Sequence, residues 1–140
     1  MTLRAVFLPV ILCLVFVHCR NSAAEERMTE SQIVGKILSV DYVEEEILPP
    51  NLVVTVVGEV PTAGYSKTVL LRVVYVVPPA DGIQDYILFS TPPAGPAAQV
   101  ISQVTGKDTW KGYRKEAPWI KGIRVRGLGA GIVVKMLPKK

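Results

Sequence analysis

The chain predicts an all-β domain: a single immunoglobulin-like β-sandwich of about seven strands, following a cleaved signal peptide. Three observations predict it. Short runs rich in Val, Ile, Leu and Tyr recur along the chain, and such residues fit a pleated, half-buried surface. Most prolines and glycines fall between these runs, where Pro presets φ and Gly takes positive φ. Several runs alternate apolar with polar residues, the period of a strand with one buried face.

The first 24 residues come before the domain. Arg4 precedes thirteen apolar residues at 5–17, and Ser22 and Ala24 supply small side chains at positions minus three and minus one of a cut after Ala24. That charged, apolar, small-residue order is the signature of a secretory signal peptide. The apolar stretch falls short of the roughly 20 residues that cross a bilayer, so no transmembrane anchor is expected. The protein is predicted to be secreted or periplasmic, with 25–32 a flexible N-terminal segment and 33–140 the β-sandwich domain. Cys13, Cys19 and His18, the whole complement of Cys and His, lie in the leader; lipidation of Cys19 is left open. Removing the leader would exclude disulfides, Cys nucleophiles, Ser-His-Asp triads and the usual structural zinc sites. No metal, cofactor or catalytic residue is assigned.

The expected strands, in order, are 33–42, 52–59, 67–77, 83–89, 98–104, 120–126 and 132–137. Leu38-Ser39-Val40-Asp41-Tyr42 and Ile123-Arg124-Val125-Arg126 have the period of two. The runs VVTVV and VVYVV are apolar on both faces, as central strands covered on each side would be. The stretch 97–104 also places Val100, Ile101 and Val104 at helical spacing, so a short capping helix is the alternative there. Strand order is not readable from the pattern.

Charge is unevenly placed. Residues 25–59 carry eight acids and two bases, whereas 107–140 carry ten bases and two acids. Either the first and last strands pair and these charges screen one another, or a basic surface stays free for an anionic glycan or lipid. Nucleic acid is not an expected partner.

Several stretches invite a chemical reading. GEVPTAGYSK, residues 58–67, is either a structural turn or a displayed loop, because Pro61 fixes its own φ and Gly64 permits a conformation closed to other residues. Residues 106–122 interleave Trp110, Tyr113 and Trp119 with five lysines and arginines. This pattern fits either a stacking platform or aromatics folded back over the sandwich. The Gly-rich 127–131 is read as a hairpin connection, since a phosphate-cradling loop must run into a helix and IVVKM reads as a strand. Glu44-Glu45-Glu46 reads as a solvated acidic run. Asp81 and Asp85 flank a turn where calcium could be chelated, without the ligand density of an EF-hand. Adjacent Ser66 and Lys67 point apart on a strand, unlike a Ser-Lys dyad.

Pro61-Thr62-Ala63-Gly64-Tyr65 resembles the first inhibitory loop of the chagasin family of cysteine-peptidase inhibitors, written Asn-Pro-Thr-Thr-Gly-Tyr or Phe. It is also similar to the Thr-Gly-Gly-Tyr signature of the PrcB-type C-terminal domain of secreted bacterial proteins. Ala117-Pro118-Trp119 resembles the inhibitors' Arg-Pro-Trp loop and Gly127-Leu128-Gly129 their Gly-rich loop. Val60 stands in place of the Asn and Ala117 in place of the Arg, and the last two loops occur in reverse order. The resemblance implies an immunoglobulin-like sandwich inserting three loops into a papain-type cleft, with Thr62, Gly64 and Tyr65 in the central loop and Trp119 an aromatic contact. The expected function is a secreted, non-enzymatic binding domain acting through loops at one end of the sandwich. Its ligand-binding residues are then Thr62, Gly64, Tyr65, Trp110, Tyr113 and Trp119. The expected partner is a peptidase or an anionic surface glycan or lipid.

Overall fold

The computed structural model describes residues 30–129 and 132–139. The expected signal peptide, with Cys13, His18 and Cys19, lies outside the described residues, as does most of the expected N-terminal segment. The elements are β1 (Gln32–Ile33), β2 (Lys36–Glu45), β3 (Asn51–Val60), β4 (Ser66–Arg72), β5 (Ile83–Thr91), β6 (Ser102–Trp110), α1 (Tyr113–Glu116), β7 (Gly122–Arg126) and β8 (Ile132–Met136).

Two sheets form an all-β sandwich. One has the order β2-β3-β6 and is antiparallel throughout. The other is built around β5, which pairs with β4 along one edge and with β1 and β7 along the other; β8 follows β7. The β5–β7 pair is parallel. Parallel pairing needs a crossover, here made through β6 in the facing sheet and the single turn α1.

VVTVV forms the heart of β3, the middle strand of its sheet, where Leu52, Val54 and Val56 are fully buried. VVYVV does not behave as expected. β4 ends at Arg72; Val73 N–H still donates to Asp85 O at 3.0 Å, and residues 74–77 leave the sheet. The side-chain amide of Gln84 donates to the carbonyl of Val73 at 2.7 Å, which closes the ladder. Pro78 and Pro79 have no N–H with which to resume it. The fifth strand expected, 98–104, is displaced to 102–110, and 97–104 holds no helix. β6 runs through Thr105-Gly106-Lys107-Asp108, beyond the end of the expected strand 98–104, because every residue from Ser102 to Trp110 is in register with β3.

The core lies between the sheets, around Leu52, Val54, Val56, Tyr86, Leu88, Ile123 and Val125. Leu88 packs tightly against two glycines of the facing sheet. A Cβ on Gly58 would come within 2.9 Å of Leu88 Cδ2, and one on Gly106 would overlap Cδ1. Gly58 and Gly106 lie on adjacent strands of one sheet, so together they leave a hollow that seats one leucine from the other.

Candidate functional site

Strand register decides which loops share an end. Lys36 pairs with Glu59, and Ser102 with Val60. Ser66 pairs with Thr91, and Gly129 N–H donates to Gly35 O at 2.9 Å. Loops 61–65, 92–101 and 127–129 therefore gather at the Val60 end of β3. Loops 46–50, 73–82 and 111–121 gather at the opposite Asn51 end. Nine strand steps at about 3.3 Å put the two ends roughly 30 Å apart.

The six sequence-predicted residues accordingly divide. Thr62, Gly64 and Tyr65 sit at the Val60 end with the Gly-rich loop, whereas Trp110, Tyr113 and Trp119 sit at the Asn51 end. They do not form one surface, nor do PTAGY, GLG and APW form one three-loop wedge. At the Val60 end Gly64 adopts φ +86°, a region that favours glycine. Ala63 N–H donates to Ala98 O at 3.1 Å, and Tyr65 packs against the core. PTAGY is thus a turn docked on the neighbouring loop.

At the Asn51 end the aromatics fold inward. Trp110 is 5% exposed and Tyr113 fully buried, so neither offers the free ring face that a stacking platform needs. Trp110 Nε1 donates to Glu116 Oε2 at 2.6 Å, and the Arg72 guanidinium covers its ring at 4.3 Å. Arg114 lies 5.0 Å from the Tyr113 ring centroid and makes two hydrogen bonds to Glu44, at 3.0 and 3.2 Å. Burial pushes the Tyr113 phenol up to about 12. Trp119 is half-buried and meets Tyr75 edge-on at 6.2 Å.

Asp81 and Asp85 are occupied by guanidinium groups. Asp85 receives two hydrogen bonds from Arg124, at 2.5 and 2.8 Å, a further contact from Arg126, and the Tyr75 hydroxyl. Hydrogen bonding from Arg124 holds its carboxyl below the usual carboxylate range. Asp81 accepts from Arg124 at 3.0 Å and from the backbone N–H of Ile83, so this turn is an arginine clamp. Asp41 and Lys135 join β2 to β8 at 2.7 Å, which realises part of the expected pairing between the acidic and basic ends of the sequence. Lys111, Lys115, Lys121 and Lys139 are exposed and form no salt bridge among the described residues.

The most distinctive feature of the Asn51 end was missed by sequence reasoning. Ile47 (52% exposed), Leu48 (98%), Val74 (88%), Val76 (101%) and Val77 (73%) stand outside the fold. A sequence signal for them exists. Ile47-Leu48-Pro49-Pro50 and Val76-Val77-Pro78-Pro79 share one pattern, an aliphatic pair followed by two prolines. The residue before a proline is held extended, and two successive prolines cannot donate to a ladder, so each pair is kept off the sheet. The 111–121 segment ties both loops together: Gly112 N–H donates to Asn51 Oδ1 at 3.1 Å, and Lys121 N–H to Gly82 O at 2.8 Å.

Comparison of the chain with family models, curated proteins and solved structures finds no match.

Proposed function

We propose that the protein is an exported, non-enzymatic binding domain that works through the Asn51 end of its sandwich. One observation carries this reading: five aliphatic side chains on two proline-stiffened loops are exposed together at that end. Exposed apolar clusters rimmed by polar groups mark interaction sites. The leader pattern at 1–24 supports export. After Ala24 the sequence has neither Cys nor His, and Glu44, Asp81 and Asp85 are engaged by arginines, which supports recognition by contact and not chemistry.

Cell fractionation tests the reading. Produced with its leader in a bacterial host, the protein is expected in the envelope or periplasmic fraction. The double variant L48D/V76D is expected to lose envelope retention while keeping its export. Equal distribution of wild type and variant would overturn the assignment of this end.

A further inference from the structure

Independently of the Asn51 end, we infer that the outer face of the sheet built around β5 is a homodimer interface, covered by the same face of a second copy of this chain. Register places its residues, because directly paired residues share a face. Val69 and Ile33 flank Phe89, Leu71 and Arg126 flank Ile87, and Arg124 lies between Asp85 and Val134. Their neighbours along the strands, Leu70, Leu88 and Val125 among them, are in the core, so these rows point away from it.

The two outer faces of the sandwich differ. A sheet with one face on the core usually turns polar residues to water on the other. The β2-β3-β6 sheet does so, with Asp41, Thr55 and Lys107 in one outer row and Ser39, Val57 and Thr105 in the next. The sheet around β5 does not. Val69, Leu71, Val134 and Met136 are 46–58% exposed, and Ile33, Ile87 and Phe89 between them are half-buried. These outward rows contain neither Lys nor Glu. Loss of Lys and Glu, with Phe, Met and Arg present, is the composition of a protein–protein interface.

Charge and area point to an identical copy as the occupant. Arg124 bonds to Asp85 and Asp81, and Arg126 contacts Asp85, so two bases meet two acids within the face. A charged partner finds no unmatched group there, whereas a second copy approaches without net repulsion. Segment 25–31, which follows the expected cut, holds Met28 as its one large apolar residue, so it offers little to cover the face. β1 and β7 lie along the same edge of β5, so the sheet is four strands wide. Strands about 4.8 Å apart and roughly seven residues long at about 3.3 Å per residue cover roughly 450 Å². Two such faces make roughly 900 Å² of flat area, and side-chain relief carries the total past the about 1,000 Å² that a specific interface clears, well short of the about 2,000 Å² and more of obligate dimers. The dimer is therefore a dissociable one, two sheets packed face to face about a two-fold axis.

Sedimentation equilibrium of the exported protein over a wide concentration range tests the inference. Wild type should pass reversibly from monomer to dimer. L71D/V134D sets two carboxylates per copy in the interface without a cationic partner and should weaken association at least about tenfold, whereas L71M/V134M should dimerise like wild type. V43D, on the outer face of the other sheet, and L48D/V76D, at the Asn51 end, should leave association unchanged, so failure of the dimer and failure of the binding end are read separately. The replaced side chains are about half exposed or more, so circular dichroism should match wild type. Independently of any variant, amide hydrogen exchange in β4 and β8 should slow as wild-type concentration rises, and that in β2 should not. A wild type that stays monomeric at every concentration would overturn the inference, including one whose face is taken by vesicles or by a different protein. So would a dimer that L71D/V134D keeps at wild-type strength, one that V43D weakens equally, or protection that rises in β2 and not in β4 and β8.

Discussion

Replacing Gly106 with alanine adds one methyl group where Leu88 packs against the facing sheet. The new Cβ would overlap Leu88 Cδ1 and lie 3.2 Å from Leu70 Cβ and 3.3 Å from Leu70 N, all closer than the favourable contact distance of about 3.5–4.0 Å. Leu88 cannot retreat, because it is fully buried and its other methyl already lies over Gly58. Overpacking of this kind costs about 1–3 kcal/mol. Alanine is better than glycine within a strand by roughly 0.5–1 kcal/mol, which leaves a net loss of about 1–2 kcal/mol. At about 4–8 °C per kcal/mol for a domain of this size, Tm should fall by roughly 5–15 °C. Leu88→Ala alone opens a cavity and should cost about 2–5 kcal/mol. In that background the Gly106→Ala methyl enters vacated space, so it should be neutral or stabilising. Urea denaturation of the four proteins gives the coupling directly. If Gly106→Ala costs the same with and without Leu88, the seat formed by the two glycines does not hold the sheets together.

Three further outcomes follow from the geometry. Asp85 has a lowered native pKa, so its clamp contributes stability above the ordinary carboxylate range near pH 4 and loses it as pH falls through the native value. Denaturation midpoints should therefore fall more steeply as pH drops below about 4 in wild type than in D85N, and parallel curves would count against the clamp. Trp110→Ala should cost about 3–5 kcal/mol, typical of a buried aromatic, and Trp119→Ala clearly less; acrylamide should quench Trp119 while leaving Trp110 protected. The protein should not inhibit papain-type peptidases, since PTAGY and APW occupy opposite ends of the sandwich, and tight inhibition lost on G64W would refute that placement.

Much of the fold was legible locally. The runs 52–59, 83–89, 120–126 and 132–137 agree with β3, β5, β7 and β8 to within about two residues, the usual uncertainty of strand ends, because β-branched residues and bounding Pro and Gly act within a few positions. β6 was not legible beyond Val104. Its inward positions are Val104, Gly106, Asp108 and Trp110, a sequence without apolar alternation. Gly106 is glycine because Leu88 needs the space, and Asp108 is tolerated because Arg72 contacts it at 3.4 Å. Both reasons come from the facing sheet. The valines at 73–77 misled in the opposite direction: their composition matches a central strand, and only the following Pro-Pro marked them as leaving it.

The site was less legible than the fold. Trp110 and Tyr113 lie in a basic, aromatic-rich stretch, but the tryptophan indole and tyrosine phenol turn inward once Arg72 and Arg114 cover them. Val76 reads as an ordinary member of the run 67–77, and Leu48 as part of a connection between two strands, until the end of the sandwich places their loops at one end.

By itself the sequence determined an all-β chain and the position of most strands, since these depend on φ restriction, missing N–H groups and side-chain branching within a few residues. Only the tertiary structure decided which loops meet, which aromatics are covered and which glycines receive Leu88. Those outcomes depend on strand direction and register between residues far apart in the chain, and a one-dimensional pattern carries neither.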